Sequence, residues 1–177
     1  MTARTNLGVA ALVLVIALLL AACGGASSSS SSSGATATRA SQPKVGSPQR
    51  VRTPGTTLVV TVRQVIFPLR NSGALLPAGD RAAGVLVAVH NTGKGVYDSS
   101  SESDVKLGTS LGADAEPSFA ARGPCQTTEI DFLKLVNPGE SRSGCVAFDV
   151  PAGAKPAAVR FAPEGREALQ RTWVVPG

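Results

Sequence analysis

The side chains that could do chemistry are few. The chain has a single histidine, His90, and three cysteines, Cys23, Cys125 and Cys145. One serine sits in a nucleophile-elbow pattern, Gly108-Thr-Ser110-Leu-Gly112. Acyl transfer at Ser110 would need a base to take its proton, and histidine is the usual base. In hydrolases with this elbow the histidine follows the serine along the chain, and a helix follows the elbow. Here His90 precedes Ser110, and Gly112-Ala-Asp-Ala-Glu-Pro117 is a poor start for a helix. His90 alternates with Leu86 and Ala88, as a satisfied or exposed residue near a strand end does. One histidine without a cysteine cluster argues against zinc. Asp98, Glu102 and Asp104 lie in DSSSESD, which lacks the glycine and the spacing of a calcium loop, and reads as a solvated loop. Tyr97 and Trp173 read as core or rim aromatics. No catalytic, cofactor-binding or metal-ligating residue is assigned from the sequence, and no cofactor is expected.

The cysteines carry more information. Arg4 precedes the uncharged run Leu7–Leu20, which ends in Leu20-Ala21-Ala22-Cys23. A basic start, an apolar stretch and small residues before a cleavage point make a secretory signal. Residues 7–22 are too few to span a bilayer comfortably, which takes roughly 20. Leu-Ala-Ala-Cys matches the bacterial lipobox, and that resemblance implies that Cys23 is lipidated on sulfur and becomes the mature N-terminus. A diacylglyceryl group would then hold the chain on the membrane without a spanning helix. Cys125 and Cys145 remain as an even pair in an exported chain and are expected to bond to each other. The expected location is the extracytoplasmic face of the cell membrane, with the membrane itself as a partner through Cys23.

Charge and composition divide the rest. Residues 24–54 open with Gly-Gly-Ala and seven serines, Ser27–Ser33, and hold only Val45 and Val51 as sizeable apolar residues. Such a segment cannot bury enough surface to offset its ordering entropy. As a flexible coil it would reach roughly 30 Å. The expected organisation is a signal peptide at 1–22, a lipidated cysteine and disordered tether at 23–54, and a folded domain at 55–177. The tether carries four bases and no acid, whereas 55–177 holds 12 bases and all 12 acids. A charge-balanced domain argues against an electrostatically driven nucleic-acid binder.

From Thr56 onward short β-rich runs alternate with Gly/Pro turns. Strands are predicted at Thr56–Phe67, Gly84–Asn91, Asp104–Ser110, Glu129–Leu135, Ser141–Val150, Ala157–Phe161 and Leu169–Val175. In the first, Leu58, Val60 and Val62 alternate and the phase then shifts at Val65, which predicts a bulge. In Ser141–Val150, Val146, Phe148 and Val150 share one face, and Cys145, Ala147 and Asp149 the other. About seven short strands, and no amphipathic stretch of helical length, predict an all-β antiparallel sandwich.

Val87-Ala-Val-His-Asn-Thr-Gly93, and Asn137-Pro-Gly-Glu-Ser141 leading into Val146-Ala-Phe-Asp-Val-Pro151, give a more specific resemblance. Residues 55–176 resemble a family of bacterial extracytoplasmic domains of unknown function that includes the mycobacterial immunoprotective secreted antigen. The resemblance implies an immunoglobulin-like sandwich. It weakens at 98–128, where little family pattern is visible, and it implies no activity. The expected function is a non-catalytic binding or interaction module displayed at the cell envelope, with a protein or envelope component as partner. The alternatives are an accessory subunit of an envelope complex and, last, a small envelope hydrolase.

Overall fold

The computed structural model describes residues 42–70, 76–118, 125 and 131–177. The leader, Cys23 and the tether as far as residue 41 lie outside the described residues, as does the start of the strand predicted at Glu129–Leu135. Among the described residues eight strands form, one more than predicted: β1 Pro48–Arg52, β2 Thr57–Ile66, β3 Arg81–Asn91, β4 Val105–Thr109, β5 Asp114–Pro117, β6 Ser141–Val150, β7 Pro156–Phe161 and β8 Arg171–Val174. One helical turn, α1, covers Ser101–Asp104. Every strand pairing is antiparallel, in the order β1-β2-β3-β6-β5-β4-β7-β8. No helix among the described residues is long and apolar enough to cross a membrane.

Two-residue alternation explains the central strands. Leu58, Val60 and Val62 of β2 point inward, and the pairing with β3 then shifts between Val62 and Gln64, at the predicted phase change. Val85, Val87 and Val89 of β3 and Val146, Phe148 and Val150 of β6 lie on one face of these paired strands and share one core. Trp173, Tyr97, Phe148 and Phe161 are its largest fully buried side chains. Burying one such side chain contributes about 1.5–3 kcal/mol.

The opposite face of β3 and β6 holds a second cluster, of Leu69, Ala82, Cys125 and Ala147. Cys125 and Cys145 are joined there in a disulfide, with Cα atoms 4.7 Å apart. Gly84 lies beneath it, and a Cβ at that position would collide with the Cys125 sulfur. Alkylation of the unreduced protein, followed by mass spectrometry, will find neither thiol free. Full alkylation without reductant would contradict the bond, whose removal should cost about 3 kcal/mol for a loop this size.

Two expectations need correction. Residues 132–135 are turns, and only Val136 bridges, to Tyr97. The Asp131 carboxylate accepts from the N–H groups of Leu133 (2.9 Å) and Ser101 (2.7 Å), a local bonding pattern that competes with a strand. The folded part also begins before residue 55. Lys44 bridges to Val174 of β8, Gly46 takes a left-handed φ of 96°, and its N–H donates to Val62 of β2 (2.7 Å). The chain then continues as β1 along β2 with Val51 fully buried. Residues 43–52 therefore join the free edge of β8 to the free edge of β2. Glycine at 46 permits the change of direction between them.

Candidate functional site

The sole histidine and the elbow serine are held far apart. His90 pairs with Ser141 at the start of β6. Its Nδ1 lies 2.9 Å from the Ser141 hydroxyl and 3.2 Å from the Glu140 carbonyl. Ser110 lies beyond the other end of β6. Its N–H donates to the Lys155 carbonyl (2.8 Å), and its hydroxyl oxygen accepts from the Lys155 N–H (3.1 Å). A ten-residue strand separates the two ends by about 30 Å. No proton can pass directly between them. Gly112, with φ 88°, sits in a tight turn between β4 and β5, so no helix follows Ser110.

His90 instead belongs to a shallow cleft of about 240 Å³ on the outer surface of β2, β3 and β6, with Val59, Thr61, Arg63, Ala88 and Ser143 around it. Register explains the surface. Arg50 pairs with Val59, Val59 with His90, and His90 with Ser141; the next row runs Pro48, Thr61, Ala88 and Ser143. Small side chains thus lie between exposed Arg50, Arg52 and Arg63, none of which forms an ion pair among the described residues. The carboxylate that precedes the row, Glu140, bonds to Arg142 at 2.6 Å. That bond, and the Asn137 N–H, hold it below its ordinary acidity range. The sum of charges over 55–177 is neutral, but Arg50 and Arg52 on β1 lie outside that range and add to the folded sheet.

The acidic stretch is also not what the sequence suggested. Asp98 and Glu102 are exposed, but Asp104 is wholly buried. Its carboxylate accepts from the Tyr97 hydroxyl, from Ser99 Oγ (2.8 Å), from Ser103 Oγ (2.9 Å) and from the Gly165 N–H (3.3 Å). Burial pushes the carboxyl up from its ordinary value, against those donors. Burial, and then the carboxylate beside it, push the Tyr97 phenol well above its ordinary range. The pair ties α1 to the 163–165 turn and serves the fold. Trp173 is equally buried and donates to Ser47 O (2.7 Å). Among the described residues no His, Cys, Asp and Glu cluster could hold a metal ion.

Comparison with known proteins gives the fold a lineage and leaves the chemistry open. No curated protein matches the chain. A secreted protein of Mycobacterium tuberculosis, MPT63, has a similar structure, with TM-score 0.57 and 18% identity over 75% of this chain and 95% of its own. YcdA, a candidate lipoprotein of Bacillus subtilis, gives TM-score 0.56 and 16% identity over 77% of this chain and 39% of its own. YjhA of Bacillus subtilis gives 0.51 and 13% over 76% of this chain and 100% of its own. At these identities the likeness concerns the fold. The family model of a domain of unknown function, DUF4352, matches residues 52–167, from the end of β1 into the turn before β8, and the chain belongs to that family.

Proposed function

We propose that the protein is a lipid-anchored extracytoplasmic lipoprotein whose sandwich works by contact and not by catalysis. The separation of His90 from Ser110 along the length of β6 carries the second half of this reading. The first half rests on Leu20-Ala-Ala-Cys23 behind its apolar run. Kinship of fold with a secreted protein and a candidate lipoprotein supports export. A sheet held on both sides of its core, with a disulfide on its outer face, makes a rigid platform, and surface loops on such platforms commonly carry recognition.

Cys23→Ala should abolish incorporation of a fatty-acid analogue and leave the leader unprocessed. Continued labelling of that variant would end the anchoring half. Hydrolysis of an ester, peptide or glycan by the purified protein, lost on His90→Ala or Ser110→Ala, would end the other.

A further inference from the structure

One end of the sandwich displays aliphatic side chains. Val96 is 50% and Leu135 60% exposed, on either side of the bridge between Tyr97 and Val136. Tyr97 and Val136 point into the core, whereas Val96 and Leu135 are turned to solvent. Leu135 has a φ of 50°, a left-handed conformation in which glycine or asparagine sits with less strain. The turn is nevertheless fixed from several sides. The Leu135 N–H donates to Asp98 (3.3 Å), and the Arg142 guanidinium donates to the carbonyls of Lys134 (2.7 Å) and Leu135 (3.3 Å). Glu140 in turn holds Arg142. A strained residue that its surroundings fix in place, with its leucine turned to solvent, points to a use for that leucine.

The surroundings are basic. Lys94 is exposed two residues before Val96, and Lys134 precedes Leu135. Arg52 and Arg50 lie outward on β1, which ends on this side of the sheet. Two of the carboxylates here are engaged, and Glu102 on α1 is exposed without an ion pair among the described residues. Asp98 shares Lys134 at 3.6 Å, and Glu140 is bonded to Arg142. We propose that this tip, Val96 and Leu135 with Lys94, Lys134, Arg52 and Arg50 around them, docks on the headgroup region of an anionic lipid bilayer, the one that holds the chain. The inference rests on the lipid anchor at Cys23 argued above.

Two considerations favour a bilayer over a protein. Two aliphatic side chains fall far short of the roughly 800 Å² per partner that a stable protein interface buries. At a membrane they need only enter the interfacial layer, while lysine and arginine stems lie along it with their charges in water. The chain enters the sandwich beside Val174, toward the end that carries Ser110, but the 18 residues between Cys23 and Gln42 span up to about 65 Å, roughly twice the length of a ten-residue strand, which leaves the tip within reach of the surface. Each basic residue near an anionic surface strengthens association about fivefold. That is weak for a free protein and sufficient for a tethered one, whose effective concentration at the surface is high.

The test uses the full lipidated chain in vesicles, spin-labelled at Leu135→Cys or, as control, at Leu111→Cys. Leu111 is 68% exposed beside Ser110, at the opposite end of the sheet. Flotation with the vesicles comes first, and a chain that does not float fails the anchoring itself. In vesicles containing phosphatidylglycerol, the label at 135 should be shielded from aqueous nickel and reached by oxygen, and the label at 111 should stay aqueous. Vesicles of phosphatidylcholine alone should reduce the shielding at 135. Adding Lys94→Glu and Arg52→Glu should reduce it about 25-fold or more in phosphatidylglycerol. Floated protein with the 135 label aqueous in every vesicle would overturn the proposal. So would shielding at 135 that appears only in native membranes, which would assign the tip to a protein, or label–label broadening that assigns it to a second copy.

Discussion

A chain that begins at Gly55 will unfold far more readily than one that begins at Gln42. The loss has identifiable parts. Val51 is fully buried, and its removal forfeits about 1.5–3 kcal/mol of apolar burial. The indole N–H of buried Trp173 loses its acceptor, Ser47 O, and an unsatisfied buried donor costs about 1–3 kcal/mol. The Thr172 carbonyl loses the Gln49 amide (2.9 Å), and the outer edge of β2 loses its whole pairing with β1. Together these approach 5 kcal/mol or more, set against a total of roughly 5–15 kcal/mol for a domain. The melting temperature should fall by roughly 15 °C or more. Val51→Asp alone should reproduce much of the loss, and Arg50→Ser, on the outward side of the same strand, almost none. Equal thermal melts of the 55–177 and 42–177 fragments would refute the seam.

That seam shows where reading the sequence succeeds and where it stops. The bulge in β2 was visible because Leu58, Val60 and Val62 set a phase that Val65 breaks. The two faces of β6 were visible for the same reason, down to the side that carries Cys145. β1 was not, because one valine between charged neighbours has no period to detect. Its burial comes from the edges of β2 and β8, which are remote in sequence. β5 was missed for a related reason. Asp114-Ala-Glu-Pro has little β propensity, yet Ala115 pairs with Leu107 and Glu116 with Asp149, so its partners on both sides impose the strand. The described part of Glu129–Leu135 failed in the opposite sense, since the local bonds of Asp131 claim the backbone at 131–133. The chain order of His90 and Ser110 argued against a hydrolase, and the fold separates them. The basic surface was hidden because Arg50 and Arg52 fell in the segment read as tether, outside the neutral sum over 55–177, and only strand register brings them beside Arg63.

Asp104 gives the sharpest test of a buried group that the sequence concealed among serines. Asp104→Ala removes the acceptor shared by Tyr97, Ser99, Ser103 and Gly165, and should cost about 3 kcal/mol or more. The pH dependence separates the charge from the hydrogen bonds. Burial raises the folded carboxyl above its ordinary value of 3.8, so between those two values the folded state holds more protons than the unfolded. Stability from this group therefore falls as pH rises through that window, the reverse of the usual salt-bridged aspartate. The other carboxylates superimpose their own profiles, and the difference from an isosteric variant removes them. Relative to Asp104→Asn, the native protein should gain stability as pH is lowered from 7 toward 4, measured by urea unfolding at each pH. The Tyr97 hydroxyl stays a donor throughout, since burial keeps the phenol protonated well beyond this range. Parallel profiles for the two proteins would mean that Asp104 ionises in the fold as easily as in the unfolded chain, and the desolvation argument for this site would fall.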